Sequence, residues 1–528
     1  MSSAASGNLQ TLSPWHQKPV TVLGLSKSGA AVARYLQTRG AKVFLSESLP
    51  ASPLNESLRN ELESLGVEVE MGGHTARCYH HADLIITSPG IPPNGSILSE
   101  LLLSGKTVWS EVELAYREAQ PMRPAVGMVG ITGTNGKSTT TTLIADIMQK
   151  AGLNAPPCGN IGLPILDILN DAQTSGEPLH ALIAELSSFQ LHFSPSLKAK
   201  VAVFTNLTPD HLDWHGSLES YQNDKLRLFV GEQSPDWCVV NAGDAFSEKI
   251  IAGTTGKVMA FALEERQVSA FPNRIYLDAQ RQIQVVLEED TDNKAQANTQ
   301  AVLPKTLLPK TLLKVDELSI IGNHNFENVM ASAATALILG LSIELVRSAC
   351  MSFKGLEHRL ERVPLEASDL EIPFYNDSKA TNPESAISAL RAFEKTPVIL
   401  IAGGYDKMTP LEPLAGEIKR HTKGVVLIGN ARHRFAEAFK QAGIENVHLI
   451  EPGEHALTTA ITKAIDLSLA EAARQNGNAL PVLFSPACAS FDMFKNYEER
   501  GFAFKRAVQA VVGPAAQSKA FQQVLPKV

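Results

Sequence analysis

An α/β protein of three domains is the fold this sequence predicts, and three observations carry the prediction. The 528 residues exceed what one hydrophobic core organises. Short apolar strands alternate with helix-period segments, the rhythm of parallel strands joined by crossover helices. That rhythm runs three times along the chain, and its strands repeatedly end in glycine-containing or polar turns.

The first run opens with an apolar strand at 20–25 and a turn containing Gly24 and Gly29. A helix pattern at 30–38, a strand at 42–45 and a strand at 84–87 follow, the last ending in Ser88-Pro89-Gly90. Pro121-Met122-Arg123-Pro124 marks a linker. The second run begins with a strand at 126–132. The third begins near Glu361, with strands at 398–402, 425–428 and 482–485. Domains at 1–121, 122–357 and 358–528 are therefore expected. About fifteen residues at each terminus read as weakly structured. Within the central domain, 288–314 stands apart: a polar run is followed by Leu303-Pro-Lys-Thr-Leu and Leu308-Pro-Lys-Thr-Leu. Prolines at this spacing oppose a regular helix or a central strand, so a surface insertion is expected rather than a partner-binding arm.

Composition narrows the function classes. Hydrophobic residues make up 44% and charged residues 19%, ordinary for a globular protein. A net charge of −8 argues against a general nucleic-acid or membrane-surface binder. No secretory leader pattern and no membrane-length apolar run is visible. Cys78, Cys158, Cys238, Cys350 and Cys488 are scattered, odd in number and never in a CxxC pair. That fits a reducing cytoplasm rather than zinc or a disulfide framework.

The densest chemical signal is Gly130-Ile131-Thr132-Gly133-Thr134-Asn135-Gly136-Lys137-Ser138-Thr139. A strand runs into a glycine-rich loop, and a helix pattern starts at the hydroxyl residues. Glycines let backbone N–H groups approach phosphate oxygens, and a following helix N-terminus favours anions. Lys137 suits the β- and γ-phosphates, and the Ser138 hydroxyl suits Mg2+. Ile131 stands where the common GxxxxGK[ST] form has its first glycine. A plain glycine turn would leave the order of strand, Gly-Lys-Ser and helix unexplained.

Two further strands, at 181–184 and 201–205, lead into Glu185-Leu-Ser-Ser-Phe-Gln190 and Asn206-Leu-Thr-Pro-Asp210-His211-Leu-Asp213. Open α/β sheets bind ligands past the carboxyl ends of their strands. A carboxylate and an imidazole placed there suit Mg2+ held beside phosphates. For Asp210 and Asp213, helix capping is at least as good a reading as catalysis. Lys225, in a helix pattern starting near Leu218, reads by itself as a surface lysine. Asn325, ahead of a helix at 329–339, reads by itself as a cap.

The GTNGKST loop resembles that of the Mur ligase and folylpolyglutamate synthase superfamily. Tyr375-Asn376-Asp377-Ser378-Lys379-Ala-Thr381-Asn382 and Ser485-Pro-Ala-Cys488-Ala-Ser490-Phe-Asp492 are similar to strings of the Mur ligase family. The resemblance spans the chain apart from the insert and the termini. It implies a Rossmann-like N-terminal domain, a P-loop-type central ATPase domain and a Rossmann-like C-terminal domain. It assigns ATP to Gly133, Thr134, Asn135, Gly136, Lys137, Ser138, Thr139, Asn325, Asn328, His358, Arg359 and Asp377. Mg2+ falls to Ser138, Glu185, His211 and Lys225, the lysine as a carbamate formed with CO2. Lys137, Glu185, His211, Lys225 and Lys379 become the catalytic set. A UDP-linked substrate falls to Lys27, Ser28, Glu47, Gly90 and Asn160.

Glu185-Leu-Ser-Ser-Phe-Gln-Leu191 and the SPACAS string resemble the D-glutamate-adding branch, and the Asp-Asn-Pro-Arg string of the diamino-acid branch is missing. In that branch Lys379, Thr381, Lys407, Ser490 and Tyr497 face the amino acid. Tyr405 departs from the aspartate that usually follows the paired glycines, and the Tyr497 hydroxyl departs from phenylalanine. The resemblance implies two steps on UDP-N-acetylmuramoyl-L-alanine: phosphorylation of its carboxylate by ATP, then attack by the D-glutamate amine. Closure of the third domain onto the second, a monomer and a cytoplasmic location are expected with it. Other ligases of the superfamily and a nucleotide-gated binding protein are the rivals. A nicotinamide-dependent dehydrogenase is another, weakened because Gly24-Leu-Ser-Lys-Ser-Gly29 lacks GxGxxG spacing.

Overall fold

A computed structural model describes residues 13–53, 55–122, 126–288, 308–365, 371–393 and 396–512. The chain divides into two compact units, one of 1–317 with 327–351 and one of 318–326 with 352–528. The expected linker at 121–124 and the weakly structured ends lie largely outside the described residues, although Trp15 already packs into the core.

The first unit holds two sheets. Strands β1 (Pro19–Leu23), β2 (Lys42–Glu47), β3 (Glu68–Met71), β4 (Leu84–Thr87) and β5 (Thr107–Ser110) are all parallel, in the order β3-β2-β1-β4-β5. The order reverses between β1 and β4, which opens a crevice at their carboxyl ends. The helix expected at 30–38 starts earlier, at Lys27, because Ser26 caps it by accepting from the Gly29 N–H.

The second sheet comprises β6 (Gly127–Thr132), β7 (Pro157–Gly159), β8 (Ala181–Glu185), β9 (Val201–Phe204), β10 (Trp237–Asn241), β11 (Lys257–Ala262), β12 (Arg274–Leu277), β13 (Gln282–Val286) and β14 (Lys310–Lys314). Its order is β14-β13-β12-β11-β10-β9-β6-β8-β7. The last two strands pair antiparallel, the others parallel. Thus β6 lies between β8 and β9, and the phosphate loop and both polar clusters leave the same edge of the sheet. One hydrophobic core runs through both sheets, from Val20 and Leu45 to Phe204 and Val240. Arg34 and Asp167 form an ion pair of 2.7 Å between helices Lys27–Gln37 and Ile165–Ser175.

Strand β14 corrects the expectation for 288–314. Its five residues contain no proline and pair with β13, burying Leu312 and Leu313. The prolines at 304 and 309 precede it, and 289–307 lie outside the described residues.

The second unit is built on β15 (Glu361–Arg362), β16 (Phe374–Asn376), β17 (Val398–Gly403), β18 (Thr422–Ile428), β19 (Val447–Leu449) and β20 (Val482–Phe484). The order is β15-β16-β20-β17-β18-β19, antiparallel only at β15. Both faces are covered: Leu400 and Ala402 enter one core, Ile399 and Ile401 the other. Burial on both sides explains the unbroken apolar run of β17.

The three sheets, each of mixed α/β surroundings, are the three-domain architecture that the sequence predicts. Among the described residues, no helix is long and apolar enough to cross a membrane.

Candidate active site

The phosphate loop turns between β6 and helix Lys137–Lys150. Gly133 (φ 145°) and Gly136 (φ 85°) have left-handed-side backbones that disfavour side chains. A Cβ would also strike Thr205 Oγ1 at the first and Asn328 Oδ1 at the second. The end of β9 braces the loop: Asn135 N donates to Asn206 Oδ1 at 2.9 Å, and Thr205 Oγ1 donates to Asn135 O at 2.6 Å. Lys137 Nζ donates to the carbonyls of Gly133 (3.0 Å) and Thr134 (2.7 Å). Ser138 and Thr139 are buried at the helix start, and Thr140 Oγ1 reaches Asn328 Oδ1 at 3.3 Å.

Glu185 ends β8 and is 2% exposed. Its Oε1 accepts from Asn160 Nδ2 at 2.8 Å, while Oε2 is buried and has no hydrogen-bond partner among the described residues. An open, buried carboxylate oxygen is costly unless a cation or a donor completes it. Asn160, expected at the UDP-linked substrate, is thereby attached to Glu185.

Lys225 overturns its reading as a surface lysine. It is 2% exposed, and its Nζ donates to Gly133 O at 2.8 Å under the phosphate loop. The Tyr221 ring lies 4.6 Å from Nζ, and the Tyr221 hydroxyl bonds Thr134 Oγ1 at 2.9 Å. Burial, and then the Lys137 ammonium, push the Lys225 amine well below the usual lysine range, against the pull of Asp210, Glu185 and Asp224. The helical period alone could not show this, because the loop that covers Lys225 comes from 92 residues earlier.

His211 precedes the short helix Leu212–His215 in a left-handed conformation (φ 51°). Its ring packs edge-on against Phe189 at 4.9 Å, and half of its side chain is exposed. Asp210 Oδ1 accepts from the His211 N–H at 2.9 Å, and no side chain among the described residues caps the helix that follows. Among the described residues no group of three or more His, Cys, Asp and Glu is arranged to hold a metal. The donor chemistry still fits Mg2+: an open Glu185 oxygen and the Ser138 hydroxyl are groups that hard cations prefer.

In the crevice of the first sheet, Glu47 Oε2 accepts from Leu25 N at 2.7 Å and Oε1 from Leu49 N at 2.8 Å. Burial raises its pKa, but these two N–H groups together with Ser48 and His74 hold it below the usual carboxylate range. Ser26 Oγ and Ser88 Oγ meet at 2.9 Å between β1 and β4. Lys27 and Gly90 are exposed there and Ser28 is half-buried.

In the second unit, His358 is buried with φ 64°, its carbonyl accepts from Lys379 N, and its Nδ1 lies 3.0 Å from Asn376 Nδ2. Asp377 is buried, accepting from Ser485 Oγ at 2.7 Å and Leu360 N at 3.2 Å. Burial drives its pKa up to about 7 despite those bonds and Arg359 and Arg500. Lys379 Nζ lies 3.9 Å over the Tyr497 ring. Thr381 is half-buried, Lys407 exposed and Ser490 buried. Asp406, beside Lys407, grips Arg434 with both oxygens at 2.6 and 2.7 Å. Asn325 is the third residue of helix Asn323–Ile338 rather than its cap, and its amide donates to Ile321 O at 2.8 Å.

Sequence reading missed Arg500. It is fully buried and donates to Ser378 O (2.7 Å), Cys488 O (2.9 Å) and Ala489 O (3.1 Å), tying the NDSK and SPACAS turns together. Burial lowers its pKa to about 10. An arginine facing the apolar side of helix Tyr497–Val512 was the available signal.

Residues 18–110 match the Mur ligase MurD-like N-terminal domain, 131–336 the Mur ligase middle domain and 358–474 the Mur ligase glutamate ligase domain. A UDP-N-acetylmuramoylalanine--D-glutamate ligase of Desulfitobacterium hafniense (strain DSM 10664 / DCB-2) is 35% identical, over 93% of this chain and 98% of the relative. A protein of the same name from Acidobacterium capsulatum is 36% identical, over 95% and 98%. Among solved structures, a UDP-N-acetylmuramate-alanine ligase from Thermotoga maritima shares the fold, with TM-score 0.52 and 18% identity over 94% of this chain and 100% of that chain.

Proposed function

The chain belongs to the Mur ligase family, and from that premise we propose that it joins D-glutamate to UDP-N-acetylmuramoyl-L-alanine with ATP, in peptidoglycan precursor synthesis. The names of the relatives support the substrate pair. The observation that carries the chemistry is the buried Lys225 beneath a phosphate loop, beside a Glu185 oxygen left open.

In this reading the loop N–H groups and Lys137 hold the β- and γ-phosphates. The substrate carboxylate attacks the γ-phosphorus, ADP leaves and an acyl phosphate forms. The D-glutamate amine then attacks the acyl carbon and gives up a proton, and the tetrahedral species expels phosphate. Mg2+, when bound, supplies Lewis-acid neutralisation of phosphate charge, held by Ser138, Glu185, His211 and a carbamate at Lys225. The depressed Lys225 pKa supports the carbamate, since only a neutral amine adds CO2. Asn160 orients Glu185. Lys27, Ser28, Glu47 and Gly90 are assigned to the UDP moiety. In the second unit, His358 and Arg359 are assigned to the phosphate chain and Asp377 to the ribose. Lys379, Thr381, Lys407, Ser490 and Tyr497 are assigned to D-glutamate. A monomer in the cytoplasm is part of the same proposal.

The test is ADP release with UDP-N-acetylmuramoyl-L-alanine and, in turn, D-glutamate, L-glutamate, L-lysine and meso-diaminopimelate. D-Glutamate is expected to support turnover and L-glutamate far less. Equal rates with the two enantiomers would remove the amino-acid assignment.

A further inference from the structure

A buried hydrogen-bond chain lies behind the side chains assigned to Mg2+. Ser188 Oγ meets His215 Nε2 at 2.9 Å, and His215 Nδ1 meets Asp224 Oδ2 at 3.0 Å. The second oxygen of Asp224 bonds His192 Nδ1 at 2.8 Å. Ser188, His215 and Asp224 are all buried. A serine, histidine and carboxylate in this order suggest an activated nucleophile. Here the serine is 2% exposed and opens helix Ser188–His192, so no substrate reaches it. The chain works as a brace.

Its attachment points decide what it braces. Ser188 lies three residues after Glu185, His215 four after His211, and Asp224 immediately before Lys225. Helix Ser188–His192 is bound to Asp224 from both ends, through His215 at its first residue and directly from His192 at its last. Phe189 of the same helix stacks on His215 at 5.4 Å and holds the His211 ring at 4.9 Å. Three segments, one following β8 and two following β9, therefore meet on one imidazole. With Nδ1–H donating to Asp224 and Nε2 accepting from Ser188, a neutral His215 satisfies both neighbours.

We propose that His215 is a positioning residue that holds Glu185, His211 and Lys225 in mutual register, through Ser188, Phe189 and Asp224. This rests on the reading that those three side chains face Mg2+. A metal site tolerates little misplacement, and supporting partners commonly carry about 10- to 100-fold in metal affinity.

The experiment uses the full chain with ADP and reads Mn2+ binding from the loss of the free-ion EPR signal, alongside a thermal melt. His215→Phe keeps the ring packing and removes both nitrogens. Ser188→Ala removes one hydroxyl and covers the case in which the first variant does not fold. His215→Asn keeps a donor toward Asp224, and Glu185→Gln serves as the metal-site control. Folded His215→Phe is expected to need about tenfold more Mn2+, Ser188→Ala about threefold more, and His215→Asn is expected to recover most of the loss. Wild-type Mn2+ binding by folded His215→Phe or Ser188→Ala, while Glu185→Gln loses it, overturns the positioning role alone. Wild-type binding by Glu185→Gln as well removes the metal reading and the proposal with it.

Discussion

Replacing Lys225 with Met separates catalysis from stability. The side chain keeps its length and apolar stem but loses the amine. The structure sets two opposing stability effects. The lost Nζ bond to Gly133 O costs about 1.5–3 kcal/mol if the amine is charged. Against it stands the burial of that amine close to Lys137, which penalises its charged form more than Asp210, Glu185 and Asp224 favour it. The second effect is the larger, so Lys225→Met is expected to melt no lower than the wild type. Activity should move the other way. On the proposed carbamate reading, Mg2+ would lose one fixed ligand, and such losses cost on the order of a hundredfold, about 3 kcal/mol of barrier. The assay is substrate-dependent ADP release at saturating Mg2+, beside calorimetric melts of both proteins. Acetate should partly restore Lys225→Ala, because a small carboxylate fits the vacated oxygen position. A folded Lys225→Met with near-normal turnover in CO2-depleted buffer would refute the reasoning.

Three further outcomes are expected. Glu111 is fully buried and accepts from Leu166 N, and burial raises its pKa to about 7 despite the N–H groups of Leu166 and Ile165. The folded state then holds the proton more tightly than the unfolded chain, so stability is full below about pH 4.5 and declines as pH rises to about 7. Glu111→Gln should therefore match the wild type near pH 4 and exceed it at pH 8 in urea melts, by up to about 3 kcal/mol; a gap that does not change with pH would count against it. Arg500→Met removes the guanidinium donors from Ser378 O and Cys488 O, while Ala489 O keeps the Tyr405 N–H, and should cost about 3 kcal/mol of stability, with a raised KM for D-glutamate; an unchanged melt and KM would refute its bracing role. Replacing 290–309 by a short Gly/Ser linker should keep turnover within about threefold, below 1 kcal/mol of barrier, and a hundredfold loss in a folded variant would place that segment in catalysis.

The sequence by itself determined the three-part α/β order, because strand period, glycine turns and strand-end polar clusters are local properties. Strands β4 and β6 lie within a residue of where the pattern put them, and Gly133 and Gly136 declare themselves through backbone geometry that few other residues adopt. The family strings likewise stand in contiguous sequence. Lys225 shows where that legibility ends. Its helix gives no apolar stripe around it, and its burial is created by a loop 92 residues away. Asp224 meets partners 9 and 32 residues distant, and Arg500 joins turns 12 and 122 residues away. Such placements depend on which strand ends the sheet order brings side by side, with β6 between β8 and β9 and β20 between β16 and β17. Burial and desolvation are sums over neighbours in space, so the altered acidities of Lys225, Glu111 and Asp377 were decided by the tertiary structure alone.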